Sequence, residues 1–486
     1  MDRPLNARGR HLALVGFMGA GKSTVGPQLA ERLGRRFVDL DAEIERQAGL
    51  SIAKLFARRG EAHFRSLETE RALGSLRASE PAVISLGGGA VTSPRIREAL
   101  RERAFTVLLD VDVEEAWRRV QGGERPLARD EAGFRALYEE RRPLYDDVAC
   151  GRAQDIDGAV LAAAGIYVER GALARLGALV PGEGPVELAI DATVAELHGA
   201  AIRAALGARL GAVHELPQGE TAKSTEVCGQ LWQALRLERG GTLVAAGGGC
   251  TTDVAGFAAA TYMRGIAWAA VPTTLVGQVD AAIGGKTAID LAGGKNLVGA
   301  FHWPARVVCD PDVLDTLPEA EVAAGMAEVV KTGLLAGEPL WELPRAELVR
   351  ACAAFKAALC LRDPEDRGPR NALNLGHTFA HALEAAAGYE GPSHGEAVAL
   401  GLLAATRLSV EHLGLDPAVP GEVERALRPA PVHVSRERAW DALQRDKKAV
   451  AGRPQLVLLE ALGAPRTGVE LPEDAVRAAL DSLIAG

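Results

Sequence analysis

Apolar positions along the first third of the chain fall in short continuous runs separated by longer stretches of helical spacing. His11 to Val15 (HLALV) is one such run, and a helical stretch reaching Leu33 follows it after a glycine-rich turn. RFVDLD, VISLGGGAV and AFTVLLD repeat the pattern. Continuous apolar runs alternating with helices predict parallel strands covered on both faces, with ligands at their C-terminal ends. The same rhythm continues through TLVAAGGGC (Thr242 to Cys250) and then changes. VAAGMAEVVKTGLL, HTFAHALEAAA and EAVALGLLAA have helical periodicity with no strand runs between them, which predicts a mostly α-helical final part. Gly388 supplies a stop after the second of these helices.

A chain of 486 residues exceeds one ordinary domain. The pattern divides it into a P-loop domain over 1–160, a nucleotide-binding α/β domain over 166–310 and an α-helical domain over 311–486. No Gly/Ser tether separates the first two, so a touching or helix-joined seam is expected.

Composition narrows the function classes. Hydrophobic residues make up 48% and charged residues 24%, as in a globular protein with sizeable cores. No apolar run reaches the length of a membrane span, and the first residues lack the pattern of a secretory signal. The six cysteines form no CxxC pair and read as reduced thiols of a cytoplasmic protein. Net charge is −9, and residues 1–165 are nearly neutral, with 26 basic and 25 acidic side chains. The acidic remainder argues against nucleic acid as a partner and for small-molecule substrates. Arginine occurs 46 times and lysine nine, so each lysine marks a place where a compact ammonium suits better than a planar fork.

Gly16 to Thr24 reads GFMGAGKST between a strand and a helix. Amides around Gly19, Gly21 and Thr24 suit phosphates, Lys22 reaches the β and γ oxygens, and Ser23 can hold Mg²⁺. Pro27 predicts an irregularity in the following helix. Asp39 and Asp41, two apart at a strand end, are expected to share the face toward the phosphates.

With FRSLE, the triple glycine, ERPL and RRPLY in order, the segment from His11 to Ala149 resembles shikimate kinase. The resemblance implies ATP with Mg²⁺ as phosphoryl donor, and Asp41 on the shikimate hydroxyls as base. It implies Arg65 and Arg141 on the carboxylate, Gly87 and Gly88 against the ring, and Arg125 as a lid arginine. The late ATP-contacting arginine has no clear counterpart, and Arg152 stands nearest to it.

In the rest of the chain, PQGETAKS, the GGG-to-Asp253 turn, VPTTL, QVD and two GGK tripeptides crowd lysines and carboxylates among glycines, which suits a small polyanion beside a nucleotide. Glu328 and Lys331 stand at i,i+3 on an apolar helix, where a carboxylate needs a partner. Three of ten histidines, His377, His381 and His394, lie within eighteen residues. His377 and His381 share a helix face, which by spacing alone suits either a metal pair or ordinary surface histidines. Glu328 with two histidines is the composition of an open catalytic zinc site.

From Ile166 onward the sequence resembles 3-dehydroquinate synthase. The resemblance implies zinc, with cobalt left open, on Glu328, His377 and His394. It implies NAD on Glu220, Lys223, Gly248, Gly249, Asp253, Thr273, Thr274, Lys286 and Lys295. Substrate contacts fall on Arg264, Asp280, Asn296, Lys356, Arg370, Asn374 and Lys447, and on Lys286 in addition to its place at NAD, with Lys331 and His381 as catalytic groups and Arg264 at a homodimer interface. Pro364 and Asp366 depart from the expected glutamates, which puts the support of Arg370 in question. Two other readings stay open: a related cyclase making another cyclitol, and a P-loop domain acting as a nucleotide-sensing regulator.

Overall fold

The computed structural model describes residues 5–121, 130–388, 391–445 and 454–485, so Arg125 and Lys447 lie outside the described residues. The chain forms two compact units, one of residues 1–167 with 357–364, the other of 168–356 with 365–486.

The first unit is built on a five-stranded parallel sheet in the order Arg36–Asp39, Ala82–Ser85, His11–Val15, Ala104–Leu109, Gly151–Ala153. His11–Val15, Ala82–Ser85 and Ala104–Leu109 are buried at every position, because helices cover both faces. The glycine loop leaves the C-terminal end of the central strand, where sequence neighbours depart to opposite sides and a crevice opens. Pro27 lies inside the helix Lys22–Arg32, which runs on through it. It forfeits only the bond to the Ser23 carbonyl, in the first turn.

In the second unit a parallel sheet carries Arg306–Cys309, Ala267–Pro272, Thr242–Gly247, Val186–Asp191 and Leu210–Leu216 in that order. An antiparallel pair, Lys286–Leu291 with Gly294–Phe301, stands apart from it. Helices Glu319–Ala336, His377–Ala386, His394–Leu413, Val419–Leu427, Arg436–Gln444 and Glu473–Asp481 follow, with the hairpin Leu456–Ala461/Ala464–Val469 among them. Their shared core holds Leu334, Phe379, Leu383, Leu400, Trp440 and Leu458. Ser393 and Glu396 form a reciprocal capping box that fixes where the helix beginning at His394 starts, a device worth about 1 kcal/mol.

Candidate active sites

In the first unit the helix Lys22–Arg32 starts from Gly21 in the left-handed region (φ 87) with no side chain capping it. Its first amides are therefore available to an anion. Lys22 Nζ donates to the carbonyls of Gly16 (2.5 Å) and Phe17 (3.1 Å), across the hollow of the loop. Gly19 is required there, because its φ is +84 and a Cβ would lie 2.8 Å from the Ala116 carbonyl oxygen.

Opposite the loop, side chains from three segments meet around Gly87–Gly89. A Cβ on Gly87 would stand 2.5 Å from Glu68 Oε1 and 2.8 Å from Asp41 Oδ1, so both carboxylates converge on that backbone. A Cβ on Gly89 would overlap the Arg65 guanidinium. Arg65 Nη1 donates to Glu68 Oε2 at 2.6 Å, and Arg141 Nη1 and the Tyr145 hydroxyl both donate to the Gly88 carbonyl. Burial raises the Glu68 carboxyl above its ordinary range, with Arg65 opposing and Asp41 adding to the rise. Two carboxylates and two guanidiniums on glycine backbone suit a small polyhydroxy acid.

The strand expectation for Asp39 and Asp41 is corrected. The strand ends at Asp39, whose carboxylate caps the next helix by accepting from the Asp41 and Ala42 amides, and Asp41 belongs to that helix's first turn. An aspartate N-cap satisfies free amides better than a third strand residue would. Arg152 is tied on the surface to Asp110 and Asp146. Glu68 and Tyr145 were missed, although Glu68 follows Arg65 at i,i+3 in FRSLE, the spacing that pairs side chains on one helix face.

In the second unit the helix Gly249–Thr261 also begins on a glycine, Gly248, with no side-chain cap. Space there is small: a Cβ would come within 3.2 Å of Thr274 Cγ2 at Gly248 and 3.0 Å of Ala281 Cβ at Gly249. Thr273 donates its amide to Gly247, and Thr274 Oγ1 accepts from Gly277. Beside this terminus Lys223 Nζ bonds Asp253 (2.8 Å) and Asn296, while Lys295 pairs with Glu220 (3.3 Å). Asn296, expected among the substrate contacts, is thus joined to Lys223. Burial raises the Asp253 carboxyl to about 6 against the pull of Lys223. The uncapped, glycine-lined terminus with hydroxyl acceptors nearby fits the dinucleotide.

Asp280 lies in a π-helical turn, Gly277–Ala281, of the kind often found at functional sites. Its carboxylate receives Lys356 Nζ at 2.7 Å and Lys331 Nζ at 3.6 Å. Burial alone raises that carboxyl, but the two lysines outweigh it and hold it at about 2. Lys331, almost wholly buried, also pairs with Glu328. Burial lowers the Lys331 ammonium, and Asp280 and Glu328 more than restore it, so it stays charged. Arg370, buried, donates to the Gly284 carbonyl, Asn374 to the Asn371 carbonyl, and Lys286 to Asp366. Arg264 is exposed in a turn where it and Met263 both have positive φ.

Glu328, His377 and His394 offer ligand atoms all within 4.8 Å of one another. Glu328 Oε1 is 3.4 Å from His377 Nε2 and 3.2 Å from His394 Nε2. The far ring nitrogens are held by other groups: His377 Nδ1 by the Leu375 carbonyl, and His394 Nδ1 by Glu384 Oε1 at 3.3 Å. Orientation of both Nε2 atoms toward one point, with one carboxylate, fits zinc with a position left for substrate oxygen. Burial would raise Glu328, yet Lys331 and the histidines hold it well below the usual carboxylate range, so it is ready as a ligand. His381 is exposed with its ring centroid 5.6 Å from that of His377, outside the ligand trio. Glu384 was missed, because ten residues separate it from the histidine it holds.

Comparison with known proteins gives a family for each part of the chain. Residues 18–159 match the shikimate kinase family, residues 213–324 the 3-dehydroquinate synthase N-terminal family and residues 325–449 its C-terminal counterpart. A bifunctional shikimate kinase/3-dehydroquinate synthase of Thermotoga maritima is 33% identical over 93% of this chain and 96% of its own. The 3-dehydroquinate synthase of Gloeobacter violaceus is 42% identical over 65% of this chain and 96% of its own. Among solved structures, ValA (2-epi-5-epi-valiolone synthase) of Streptomyces hygroscopicus with NAD⁺ and Zn²⁺ bound is 26% identical, with a TM-score of 0.59 over 65% of this chain and 96% of that one. The chain therefore belongs to the family of bifunctional shikimate kinase/3-dehydroquinate synthases.

Proposed function

We propose that the chain carries two activities of aromatic biosynthesis. The first unit phosphorylates the 3-hydroxyl of shikimate with ATP and Mg²⁺. The second converts 3-deoxy-D-arabino-heptulosonate 7-phosphate to 3-dehydroquinate with release of phosphate. The observation that carries the synthase reading is the convergence of Glu328, His377 and His394 beside the buried Lys331.

In the kinase, Arg65 and Arg141 hold the substrate carboxylate while Asp41 accepts the proton of the reacting hydroxyl. Lys22 leaves its carbonyl partners to meet the transferred phosphoryl group, and Ser23 holds the Mg²⁺ that comes with ATP. In the synthase, Glu328, His377 and His394 would hold the zinc, which would supply acidity to a substrate hydroxyl, and NAD would supply a reversible hydride acceptor. Lys223, Asp253 and Glu220 would hold the dinucleotide beside Gly248 and Gly249, with Thr273, Thr274 and Lys295 next to them. Lys331 keeps its proton and steadies negative charge on substrate oxygen. Lys286, Lys356, Arg370 and Asn374 hold phosphate and carboxylate, and the His381 ring nitrogen moves the proton that phosphate departure requires. A substrate without a carboxylate has no use for so many cationic contacts, which favours the dehydroquinate branch over another cyclitol.

Two copies are proposed to meet through the second unit, in a cytoplasmic homodimer. The supporting observation is the exposure of Met263 (44%), Leu297 (43%) and Phe301 (50%), apolar side chains near Arg264 and on the antiparallel pair. Sedimentation of the wild type as a dimer and of Phe301→Glu as a monomer is expected, and a monomeric wild type removes this reading. For the activities, the protein is incubated with the heptulosonate phosphate, NAD and zinc, and separately with shikimate and ATP. Phosphate without net NADH is expected in the first and ADP in the second; absence of either product overturns that half.

A further inference from the structure

A cavity of about 520 Å³ opens in the second unit at the C-terminal end of the helix Glu319–Ala336. Gly333 and Trp341 line it together, the ring packed directly on the glycine: a Cβ on Gly333 would lie 2.7 Å from Trp341 Cζ3. The polar rim consists of Glu338, Glu342 and Glu422 with one cation, Arg425. Leu462 continues the apolar wall beside Trp341. The cavity is distinct from the metal site, because Gly333 is two positions past Lys331 and faces about 200° around the helix from it.

Three features restrict the occupant. Three carboxylates at the carbonyl end of a helix favour an ammonium group. The Trp341 ring favours an apolar body, and its face also attracts a cation. Arg425 adds one planar fork suited to a carboxylate. The volume lies in the range of small-molecule sites, about 300–1,000 Å³. From the juxtaposition of Trp341, Arg425 and the three glutamates, we propose that this cavity binds a free α-amino acid with a large apolar side chain. Its ammonium sits among the glutamates, its carboxylate on Arg425, and its side chain against Trp341 and Leu462.

Calorimetric titration of the full chain with L-phenylalanine tests this, with phenethylamine and hydrocinnamate as probes lacking the carboxylate and the ammonium respectively. Saturable binding is expected, weakened about tenfold or more for each probe. The same loss is expected in Arg425→Ala and in the double variant Glu338→Gln/Glu422→Gln. These side chains lie at the rim, and circular dichroism with a thermal midpoint checks that the variants fold. No saturable binding at millimolar ligand, equal affinity for the two probes and the amino acid, or unchanged affinity in either variant overturns the proposal. The readout needs no turnover, so it stands or falls separately from the two proposed activities.

Discussion

Gly395 packs against Ala324 so closely that a Cβ on the glycine would overlap the Ala324 Cα. This crossing holds the start of the helix carrying His394 one turn from Glu328 on its neighbour. A second close approach, Gly401 on the Gly376 carbonyl, sets the start of the helix carrying His377 against the same element. The metal site is thus assembled by two glycine contacts that contribute no ligand.

Gly395→Ala is expected to cost about 1–3 kcal/mol by overpacking and to part His394 from Glu328. Metal analysis should find the purified variant short of zinc, and a full complement of tightly held zinc would show that the crossing does not set the site.

Glu384 orients His394 through its Nδ1. Glu384→Gln should keep the fold and lower zinc affinity about 10–100-fold, read by competition with a chelator. Glu328→Gln should release the metal altogether. His381→Ala should retain it while slowing turnover, and zinc loss from that variant would move His381 into the ligand set.

The Asp253 carboxyl, raised to about 6, is ionised above that pH and neutral below it. With the proposed dinucleotide hydroxyls donating to the ionised form, NAD affinity is expected to be level above about pH 6 and to fall as pH drops through it. Asp253→Asn should bind weakly with that step removed. A wild-type profile flat between pH 5 and 7, measured by fluorescence titration, would take Asp253 out of the cofactor site.

Glu68 holds Arg65 and shares the Gly87 backbone with Asp41. Glu68→Gln should raise the KM for shikimate about tenfold or more, since hydrogen bonds to charged groups are worth about 1.5–3 kcal/mol. The KM for ATP should stay near wild type. Equal changes in both constants would point to a general distortion of the unit.

Local pattern was enough to read the strands His11–Val15 and Thr242–Gly247, the glycine turns after them and the helices beginning at His377 and His394. Each depends on apolar periodicity, glycine or a capping residue within a few positions. The P-loop was legible for the same reason, since its function is carried by consecutive backbone amides. Asp41 was misplaced because a helix N-cap and a strand end look alike in sequence; Asp39 is both, and the free amides of the helix settled where the strand stops.

What sequence alone determined was the set of chemical groups: a phosphate loop, a glycine-bound nucleotide terminus, and a carboxylate with histidines for a metal. Only the tertiary structure decided which groups meet. It brought His377 and His394 onto the Glu328 carboxylate from two helices, gave Glu384 to His394, joined Asn296 to Lys223, and set Glu68 on Gly87. These partners come from different elements, and their distances are set by backbone approach at Gly395, Gly401 and Gly87, a property of packing that no local spacing encodes.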